Sequence, residues 1–273
     1  VKNVSGVPSV QADYCYVNSE TDEKKATILV ITDCDSDAIG AAMLKDQVPD
    51  TYPVQVMTNY IEYWGRANIT IRRDQEPSIM KLMNLLKEKR VPHKTDLEHA
   101  PKYSSGSLGE VEGGNKRLQG QVRAVMLQVK SRYGIPVSID NKLLPWGVRH
   151  AAFLLNKYQI HATGKTTHEY LKGAAYRGDV VEFAECVWFK IPGKKGGKLD
   201  SRWDAGVWLG KVESSDEHLI GTPRGIERAR AIRRRPESER WNISEVQAMV
   251  GEPWNVKGVP QDTVVAERKR YIR

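Results

Sequence analysis

Residues 28–31 form an uninterrupted apolar run, Ile-Leu-Val-Ile, which is typical of a buried β-strand when polar turns flank it. A first strand is predicted just before it, over residues 10–17, because this stretch mixes β-branched and aromatic side chains. The polar residues 18–25 between the two strands indicate a hairpin turn. With a third strand predicted over residues 38–44, the chain begins with three consecutive strands.

Helical patterns and single strands alternate after these three strands. Pro53 fits the first turn of one helix, and Pro77 opens a second helix with its own apolar stripe. A strand over residues 68–72 leads into Asp74, and a further strand is predicted over residues 91–98. Later helices are predicted over residues 111–133 and 144–156. This order of strands and helices is that of an α/β domain.

The pattern changes near Gly178, where short strands with glycine-containing turns replace the helices. Strands at this close spacing are typical of a small β-barrel. They are predicted over residues 180–183, 186–190, 205–210, 218–220 and 226–232. We therefore predict three parts: an α/β domain over residues 1–175, a small barrel over residues 178–236, and a polar C-terminal tail over residues 237–273 with one helix at 244–250.

The net charge favours a polyanionic partner. Forty-two Lys and Arg residues exceed 34 Asp and Glu residues, which leaves a formal charge of +8, and nucleic acid is the foremost such partner. An ordinary basic enzyme would show the same balance. The sequence predicts no membrane span and no secretion signal. The three cysteines have no metal-ligand spacing, so we interpret them as structural residues of a reducing compartment.

Three acidic residues fall at positions where a carboxylate needs an explanation. Asp13 lies within the first strand, Asp74 ends a strand and Glu112 begins the long helix. A charge in a buried strand is costly unless a cation, a hydrogen bond or a metal offsets it. Taken singly, each acid also has an ordinary interpretation: an edge-strand residue, a turn former, and an acid favoured by the helix dipole.

The sequence around these acids resembles the second and third acidic motifs of retroviral and copia-type integrases. The matching segments are Asp74-Gln-Glu-Pro and Ser107-Leu-Gly-Glu-Val-Glu112-Gly-Gly-Asn-Lys. Residues 144–156 and 166–173 resemble the helices that follow the catalytic core, although Thr167 and His168 stand where the family usually has Pro and Tyr. Residues 181–210 resemble the small SH3-like barrel of copia elements. Over residues 8–240, then, the chain resembles the integrase part of a copia-type retrotransposon polyprotein.

The resemblance implies both a fold and a reaction. The fold is an RNase H-like integrase catalytic core, a mixed five-stranded sheet with flanking helices, followed by an SH3-like barrel. The implied reaction is metal-dependent trimming of an element's 3′ end and its joining to target DNA. Asp13, Asp74 and Glu112 would hold two Mg²⁺ or Mn²⁺ ions, with Asp13 bridging them, because hard oxygen ligands suit these cations.

The third acid has two candidates. Counted with the spacing usual in the family, it falls on Glu110. The Gly109-x-x-Glu112 pattern favours Glu112 instead, and Asn115 and Lys116 then stand where the family keeps its Asn and Lys. A difference in loop length is cheap enough to explain the shift. Glu112 is our preferred ligand, and Glu110 stays an alternative.

Basic and polar residues in two regions are predicted to contact DNA. On the long helix, Asn115, Lys116, Gln119 and Arg123 share the face of Glu112. In the barrel region the predicted contacts are Lys190, Lys198, Arg228, Arg233, Arg234 and Arg235, with Lys194 and Lys195 nearby. They would neutralise phosphates without reading sequence. Ordinary surface solubility is the alternative interpretation.

The resemblance also implies partners and a place of action. The partners are double-stranded DNA, as element ends and as target, and further copies of the chain in a homo-multimer; the reaction would take place in the nucleus. Two other functions stay open: a decayed or domesticated copy that binds DNA without catalysis, and a related DDE transposase or nuclease. Asp33, Asp35 and Asp37 form an acidic cluster that we interpret as a turn, with a cation site as the alternative.

Overall fold

The structure is a computed structural model with two compact units. The first comprises residues 1–130 and 135–179, and the second comprises residues 131–134 and 180–273. The structure describes residues 6–20, 22–45, 51–100, 108–136, 138–193, 197 and 199–258. The predicted loop at residues 103–109 lies mostly outside these ranges, as do Lys194, Lys195 and Lys198.

Strands and helices alternate along the first unit as the sequence predicts. In chain order the elements are β1 (Ser9–Val17), β2 (Ala26–Asp33), β3 (Ala38–Met43), α1 (Thr51–Tyr63), β4 (Ile69–Arg73), α2 (Pro77–Lys89), β5 (Thr95–His99), α3 (Gly109–Tyr133), α4 (Leu144–Tyr158) and α5 (Thr167–Lys172). Pro53 and Pro77 both lie in first turns, where a missing N–H costs nothing. A capping box formed by Thr166 and Glu169 opens α5, and Gly173 ends it in a left-handed conformation.

The five strands of this unit form one mixed sheet in the order β3-β2-β1-β4-β5. β1, β2 and β3 pair antiparallel, whereas β1, β4 and β5 pair parallel. This arrangement confirms the predicted mixed five-stranded sheet with flanking helices. Because β1 is the central strand, its backbone is hydrogen-bonded on both sides, to β2 and to β4. This pairing fixes the positions from which its side chains project.

Side chains of β1 alternate between the two faces of the sheet, as the period of a strand requires. Val10, Ala12 and Tyr14 enter the core beneath α1 and α2. Cys15 enters the opposite core, where α3 and α4 cover the sheet. Asp13 has the same parity as Cys15 and so faces α3. The predicted apolar stripe of α3 is buried, and its members are Leu118, Val122, Val125, Met126 and Val129.

The second unit contains a five-stranded antiparallel sheet in the order β10-β6-β7-β8-β9. Its elements are β6 (Cys186–Lys190), β7 (Trp203–Lys211), β8 (His218–Thr222), β9 (Gly225–Ala229), β10 (Ile232–Arg234), a short 3-10 helix (Glu237–Glu239) and α6 (Ile243–Ala248). Its core contains Val187, Phe189, Trp208 and Ile220. β9 and β10 are the edges of this sheet, so its closure into an SH3-like barrel stays a prediction.

Two expectations for the second unit were wrong. Residues 180–183 form no strand, and the single strand expected at 226–232 is divided into β9 and β10. The helix expected at residues 244–250 is confirmed as α6, which packs on β7 and β8, and Val246 and Met249 are buried. The physical reason is that α6 has one apolar face, which burial stabilises despite its polar neighbours.

None of the described helices is both long and apolar enough to cross a membrane. Cys15 and Cys186 are buried and Cys34 is half-buried, and all three are free thiols. Burial raises the pKa of Cys15 to about 12, so this thiol stays protonated and inert at neutral pH. These observations agree with a structural role for Cys15.

Candidate active site

The parallel pairing of β1 and β4 places two of the three predicted acids on, or directly after, neighbouring inner strands of the sheet. Ala12 pairs with Arg73, and the residues that follow are Asp13 and Asp74. Asp74 is exposed; its Oδ1 accepts a hydrogen bond from the Gln75 amide at 2.7 Å. This local bond stabilises the turn that leads from β4 into α2 and orients the carboxylate.

Helix α3 is attached to β1 by a series of side-chain hydrogen bonds. The Val111 amide donates to Gln11 Oε1 at 3.1 Å, and Asn115 Nδ2 donates to Asp13 Oδ2 at 3.0 Å. Further along, Gln119 Nε2 donates to the carbonyl oxygen of Tyr16 at 3.0 Å. Steps of four along a helix return to the same face, so α3 follows β1 with one face. Glu112 begins this face beside Asp13.

The three predicted acids lie close enough to act on one another electrostatically. Burial, the largest cause, raises the pKa of Asp13. Hydrogen bonds from the Tyr14 amide and Asn115 oppose this shift, whereas the negative charges of Asp74 and Glu112 add to it. Asp13 is therefore a carboxylate whose ionised form is destabilised by its surroundings, which is the setting that a bound cation would relieve.

Glu110 and Glu112 have different neighbours although both are exposed at the start of α3. The charge of Glu112 acts on Asp13. The charge of Glu110 acts on Cys34, where burial is the largest cause of a raised pKa. Glu110 and Glu112 are two positions apart, and such residues point in directions about 200° apart at 3.6 residues per turn. The two charges therefore act on different groups, Glu112 on Asp13 and Glu110 on Cys34.

The oxygen donors at this candidate site suit hard divalent cations. Its donors are carboxylate oxygens together with Asn115, whose Oδ1 is buried and has no hydrogen-bond partner in the described part of the chain. Mg²⁺ and Mn²⁺ favour such oxygen ligands. Across the described ranges, no three His, Cys, Asp or Glu side chains already form a metal-holding cluster. The three acids thus interact electrostatically without forming a closed set of metal ligands. Their oxygen donors are nevertheless of the type that Mg²⁺ and Mn²⁺ prefer.

Two of the four helix residues predicted to contact DNA have another partner. The side-chain amides of Asn115 and Gln119 donate to β1, as described above. Lys116 and Arg123 are exposed. DNA contact is therefore better supported for Lys116 and Arg123 than for Asn115 and Gln119, which attach the helix to β1.

The predicted DNA-contacting arginines of the second unit also divide into two groups. Arg234 donates two hydrogen bonds to the buried Glu185, at 2.8 and 2.7 Å. Arg235, only 6% exposed, donates two to Glu245 at 2.6 and 2.8 Å. Both guanidinium groups are thus hydrogen-bonded to acids of the same unit, although Arg234 is itself exposed; contact of either residue with phosphate stays a prediction. Sequence spacing did not predict these pairs, because Glu185 lies 49 positions from Arg234 and Glu245 lies 10 positions from Arg235, and neither separation belongs to one helix or strand pattern.

Other basic residues of the second unit remain on its surface. Lys190, Arg228 and Arg233 are exposed, and the Arg233 guanidinium lies 4.4 Å from the ring centroid of Trp203. Lys190 pairs with Trp203 across β6 and β7. Lys190 and Arg233 thus lie beside Trp203, whereas Arg228 lies on β9. These three are basic residues of the predicted phosphate-binding surface that the structure leaves accessible.

The acidic cluster after β2 is a turn with internal ion pairs. Asp33 is fully buried, and Arg66 Nη2 lies 2.7 Å from its Oδ2. Asp37 accepts from Arg117 Nη1 at 2.8 Å and lies 2.9 Å from His161 Nδ1. Asp35 is weakly paired with Arg66 at 3.5 Å. Because cationic side chains already offset these charges, the turn interpretation is favoured over a cation site.

Two residues that position the site were not singled out from the sequence. Gln11 caps the start of α3 from β1, and its place two residues before Asp13 on the same strand face was an available signal. Gly114 allows close approach, since a Cβ there would lie 2.7 Å from Thr32 Oγ1. The paired glycines 113 and 114 in a helix were the corresponding signal, because glycine is unfavourable in a helix interior.

Comparison with known proteins gives matches only among solved structures. No family model matches the sequence, and no curated protein matches it. The chain is similar to a chain of the simian T-cell lymphotropic virus intasome in complex with PP2A regulatory subunit B56 gamma, at 16% identity and a TM-score of 0.48, covering 84% of this chain and 80% of that one.

Two integrase catalytic cores are also similar to this chain. The HTLV-2 integrase core in complex with magnesium has 16% identity and a TM-score of 0.44, covering 60% of this chain and 97% of its own. The BIV integrase core has 17% identity and a TM-score of 0.43, with coverage of 60% and 92%. At this level of similarity these structures identify neither the family nor the activity of this chain.

Proposed function

We propose that this chain is the integrase of a copia-type retrotransposon, which trims the 3′ ends of element DNA and joins them to target DNA. The observation that carries the proposal is the meeting of β1, β4 and α3: Asp13 and Asp74 directly follow the paired residues Ala12 and Arg73, and α3 is bonded to Asp13 through Asn115. The acidic motifs around Asp74 and Glu112 in the sequence support it independently.

The proposed roles follow from the donors of each residue. Asp13 would hold both of two Mg²⁺ or Mn²⁺ ions, Asp74 one of them and Glu112 the other. When bound, these ions supply Lewis-acid activation of the attacking oxygen and charge stabilisation of the leaving oxygen. Asn115 keeps Asp13 oriented through its hydrogen bond. Lys116, one turn beyond Glu112 and exposed, would bind the DNA backbone near the reacting phosphate.

Both proposed reactions exchange one oxygen for another at phosphorus. In trimming, the oxygen of water bonds to phosphorus as the bond to the element's 3′ oxygen breaks, which leaves a 3′-hydroxyl. In joining, that 3′-hydroxyl oxygen bonds to a phosphorus of the target strand as the target's own 3′ oxygen leaves. Each step forms one P–O bond and breaks one, so no covalent protein intermediate is needed.

The proposed partners are double-stranded element and target DNA, bound by a homo-multimer acting in the nucleus. The net charge of +8 supports a polyanionic partner, and the exposed Lys190, Arg228 and Arg233 support contact with phosphates in the second unit. Binding through these residues would weaken steeply as salt rises, because bound phosphates lose their condensed counterions.

The proposal is tested by joining of a labelled element-end oligonucleotide to plasmid DNA in Mg²⁺. Asp74→Asn and Glu112→Gln each remove a charge with little change in shape, and Glu110→Gln is the matched control on the same helix. We expect the first two to lower joining at least a thousandfold, equivalent to about 4 kcal/mol, and Glu110→Gln to lower it less than about threefold.

Three outcomes separate the competing functions. Joining that survives both Asp74→Asn and Glu112→Gln would contradict the assigned acids. Loss of joining in Glu110→Gln alone would transfer the third position to Glu110. A wild-type chain that binds DNA tightly and salt-sensitively but never joins it would support a decayed copy that acts as a DNA-binding module.

A further inference from the structure

A cavity of about 250 Å³ lies in the first unit, between the end of β1, the middle of α3 and the segment that precedes α4. We infer that this cavity receives one unstacked nucleobase of the DNA end. The inference rests on the proposed function for the position of the DNA, and four features of the cavity support it.

The cavity continues the helix face that carries the proposed site. Asn115 and Gln119 bond to β1 on this face, and Gln119, Val122, Arg123 and Met126 then line the cavity. Gln119 lies seven positions after Glu112 in α3, a rise of about 10 Å at 1.5 Å per residue. This is about three base steps of 3.4 Å along one DNA strand. A nucleotide close to the reacting phosphate would therefore reach the cavity.

The lining combines an apolar floor with a polar rim. Val122, Met126 and Leu144 provide apolar contacts, whereas Ser19, Gln119 and Arg123 provide polar groups. Enzymes that accept an extruded base hold it between apolar side chains and bind its edge by hydrogen bonds. A phosphate alone would make no use of the apolar floor, so the lining favours a flat, partly polar ligand.

A carboxylate in the wall makes the cavity unsuitable for an anion. Asp22 accepts hydrogen bonds from the Ser19 amide at 2.7 Å, from Ser138 Oγ at 2.8 Å and from the Ile139 amide at 3.2 Å. These bonds, the Ser19 amide foremost, lower the pKa of Asp22. Asp22 thus joins two wall segments and stays negatively charged. A neutral base is compatible with this charge, whereas an acidic ligand is repelled.

Arg123 gives the rim a cation for the phosphate of the same nucleotide. Its side chain is exposed, and within the described ranges no acid lies within ion-pair distance of it. A guanidinium in this state can bind a backbone phosphate through charge-assisted hydrogen bonds. The cavity and its rim therefore match the two parts of one nucleotide, the base and the phosphate.

The test uses the full chain, in Ca²⁺ and without turnover, and element-end duplexes that carry 2-aminopurine at successive positions. This base brightens when it leaves the stack. We expect one position, within about three nucleotides of the reacting phosphate, to brighten at least twofold. Val122→Phe and, from the opposite wall, Ile139→Phe fill the cavity and should abolish the brightening, with thermal unfolding confirming that each variant folds.

Arg123→Ala separates the phosphate contact from the base contact. It should weaken DNA binding several-fold and lower the slope of log affinity against log salt by about one. Lys130→Ala removes the same charge from an exposed position on α3 that does not line the cavity, and it should leave the brightening at the responsive position unchanged.

The outcomes distinguish this inference from the proposed function, because brightening requires no joining. Equal brightening at all positions, or brightening that persists in both filled variants, would overturn the nucleobase site even if the chain joins DNA. Position-specific brightening that the filled variants abolish would support the nucleobase site even if joining fails and the proposed function is lost.

Discussion

Asn115 on α3 donates a hydrogen bond to Asp13 on β1, with 3.0 Å between Nδ2 and Oδ2, although the two residues are 102 positions apart in the sequence. The bond stabilises the ionised form of a half-buried carboxylate. It also aligns the start of α3, where Glu112 lies, with the central strand. One side chain thus connects the electrostatics of the site to the packing of its helix.

Replacing Asn115 with Ala should slow joining and move its pH dependence. Loss of the donor raises the pKa of Asp13 further, so the acidic limb of the joining rate should shift to higher pH. Removal of a residue that supports a metal ligand typically costs about 10- to 100-fold in activity. Rates measured across pH, with Asn115→Asp as a second variant, test this. An unchanged acidic limb would show that Asn115 serves packing alone.

Asp13→Asn should stabilise the fold at neutral pH while abolishing joining. The pKa of Asp13 in the folded state is raised above its ordinary value of 3.8, so the folded state binds a proton more readily than the unfolded state. The free energy of unfolding therefore falls as pH rises from 3.8 through the higher pKa of Asp13 in the folded state. Urea unfolding should show the gain at neutral pH and its disappearance near pH 3.8. An equal gain in the free energy of unfolding at both pH values, or the same gain in the control Asp140→Asn, would contradict this prediction.

Two adjacent glycines of α3 provide a matched pair of substitutions. A Cβ on Gly114 would lie 2.7 Å from Thr32 Oγ1, whereas a Cβ on Gly113 meets nothing within 4 Å. Gly114→Ala should lower the free energy of unfolding by about 1–3 kcal/mol through overpacking. Gly113→Ala should raise it by about 0.5–1 kcal/mol, because alanine favours a helix. Urea unfolding distinguishes them, and similar effects of both would refute close packing at Gly114.

The buried Asp33 should make Arg66 essential for stability. Arg66 is its ion-pair partner at 2.7 Å, and the Asp33 side chain is fully buried. Arg66→Ala leaves that charge without its cation and should cost about 3–5 kcal/mol. Arg72→Ala breaks the exposed pair with Glu98 at 3.1 Å and should cost less than about 1 kcal/mol. Comparable losses in thermal unfolding would argue against burial as the deciding factor.

Substitution of Arg235 should mainly lower the stability of the fold, whereas substitution of Arg233 should mainly weaken DNA binding. Arg235→Ala removes two bonds to Glu245 and a guanidinium lying 4.5 Å from the Trp188 ring centroid, so it should cost about 3 kcal/mol of stability. The exposed Arg233→Ala should cost less than about 1 kcal/mol but lower the salt dependence of DNA binding by about one unit of slope. Fluorescence anisotropy at several salt concentrations, beside unfolding curves, tests both. The reverse pattern would restore Arg235 as a phosphate ligand.

Local patterns in the sequence were sufficient for most elements of the first unit. The apolar run at residues 28–31 predicted β2, and the apolar stripe of residues 118–129 predicted the buried face of α3, because side-chain periodicity follows directly from backbone geometry. The second unit was predicted less well. Residues 180–183 have the composition of a strand but do not pair, and strand formation depends on a partner that composition does not reveal.

For the candidate site, the sequence by itself determined which residues could act: Asp13 within a strand, Asp74 after a strand, and two glutamates at the start of one helix. Only the tertiary structure decided that the charge of Glu112 acts on Asp13 while that of Glu110 acts on Cys34, and that Arg234 and Arg235 are hydrogen-bonded to Glu185 and Glu245. The reason is physical. Strand and helix periodicity are properties of neighbouring residues, whereas an ion pair or a shared field depends on which distant segments the packed core brings together.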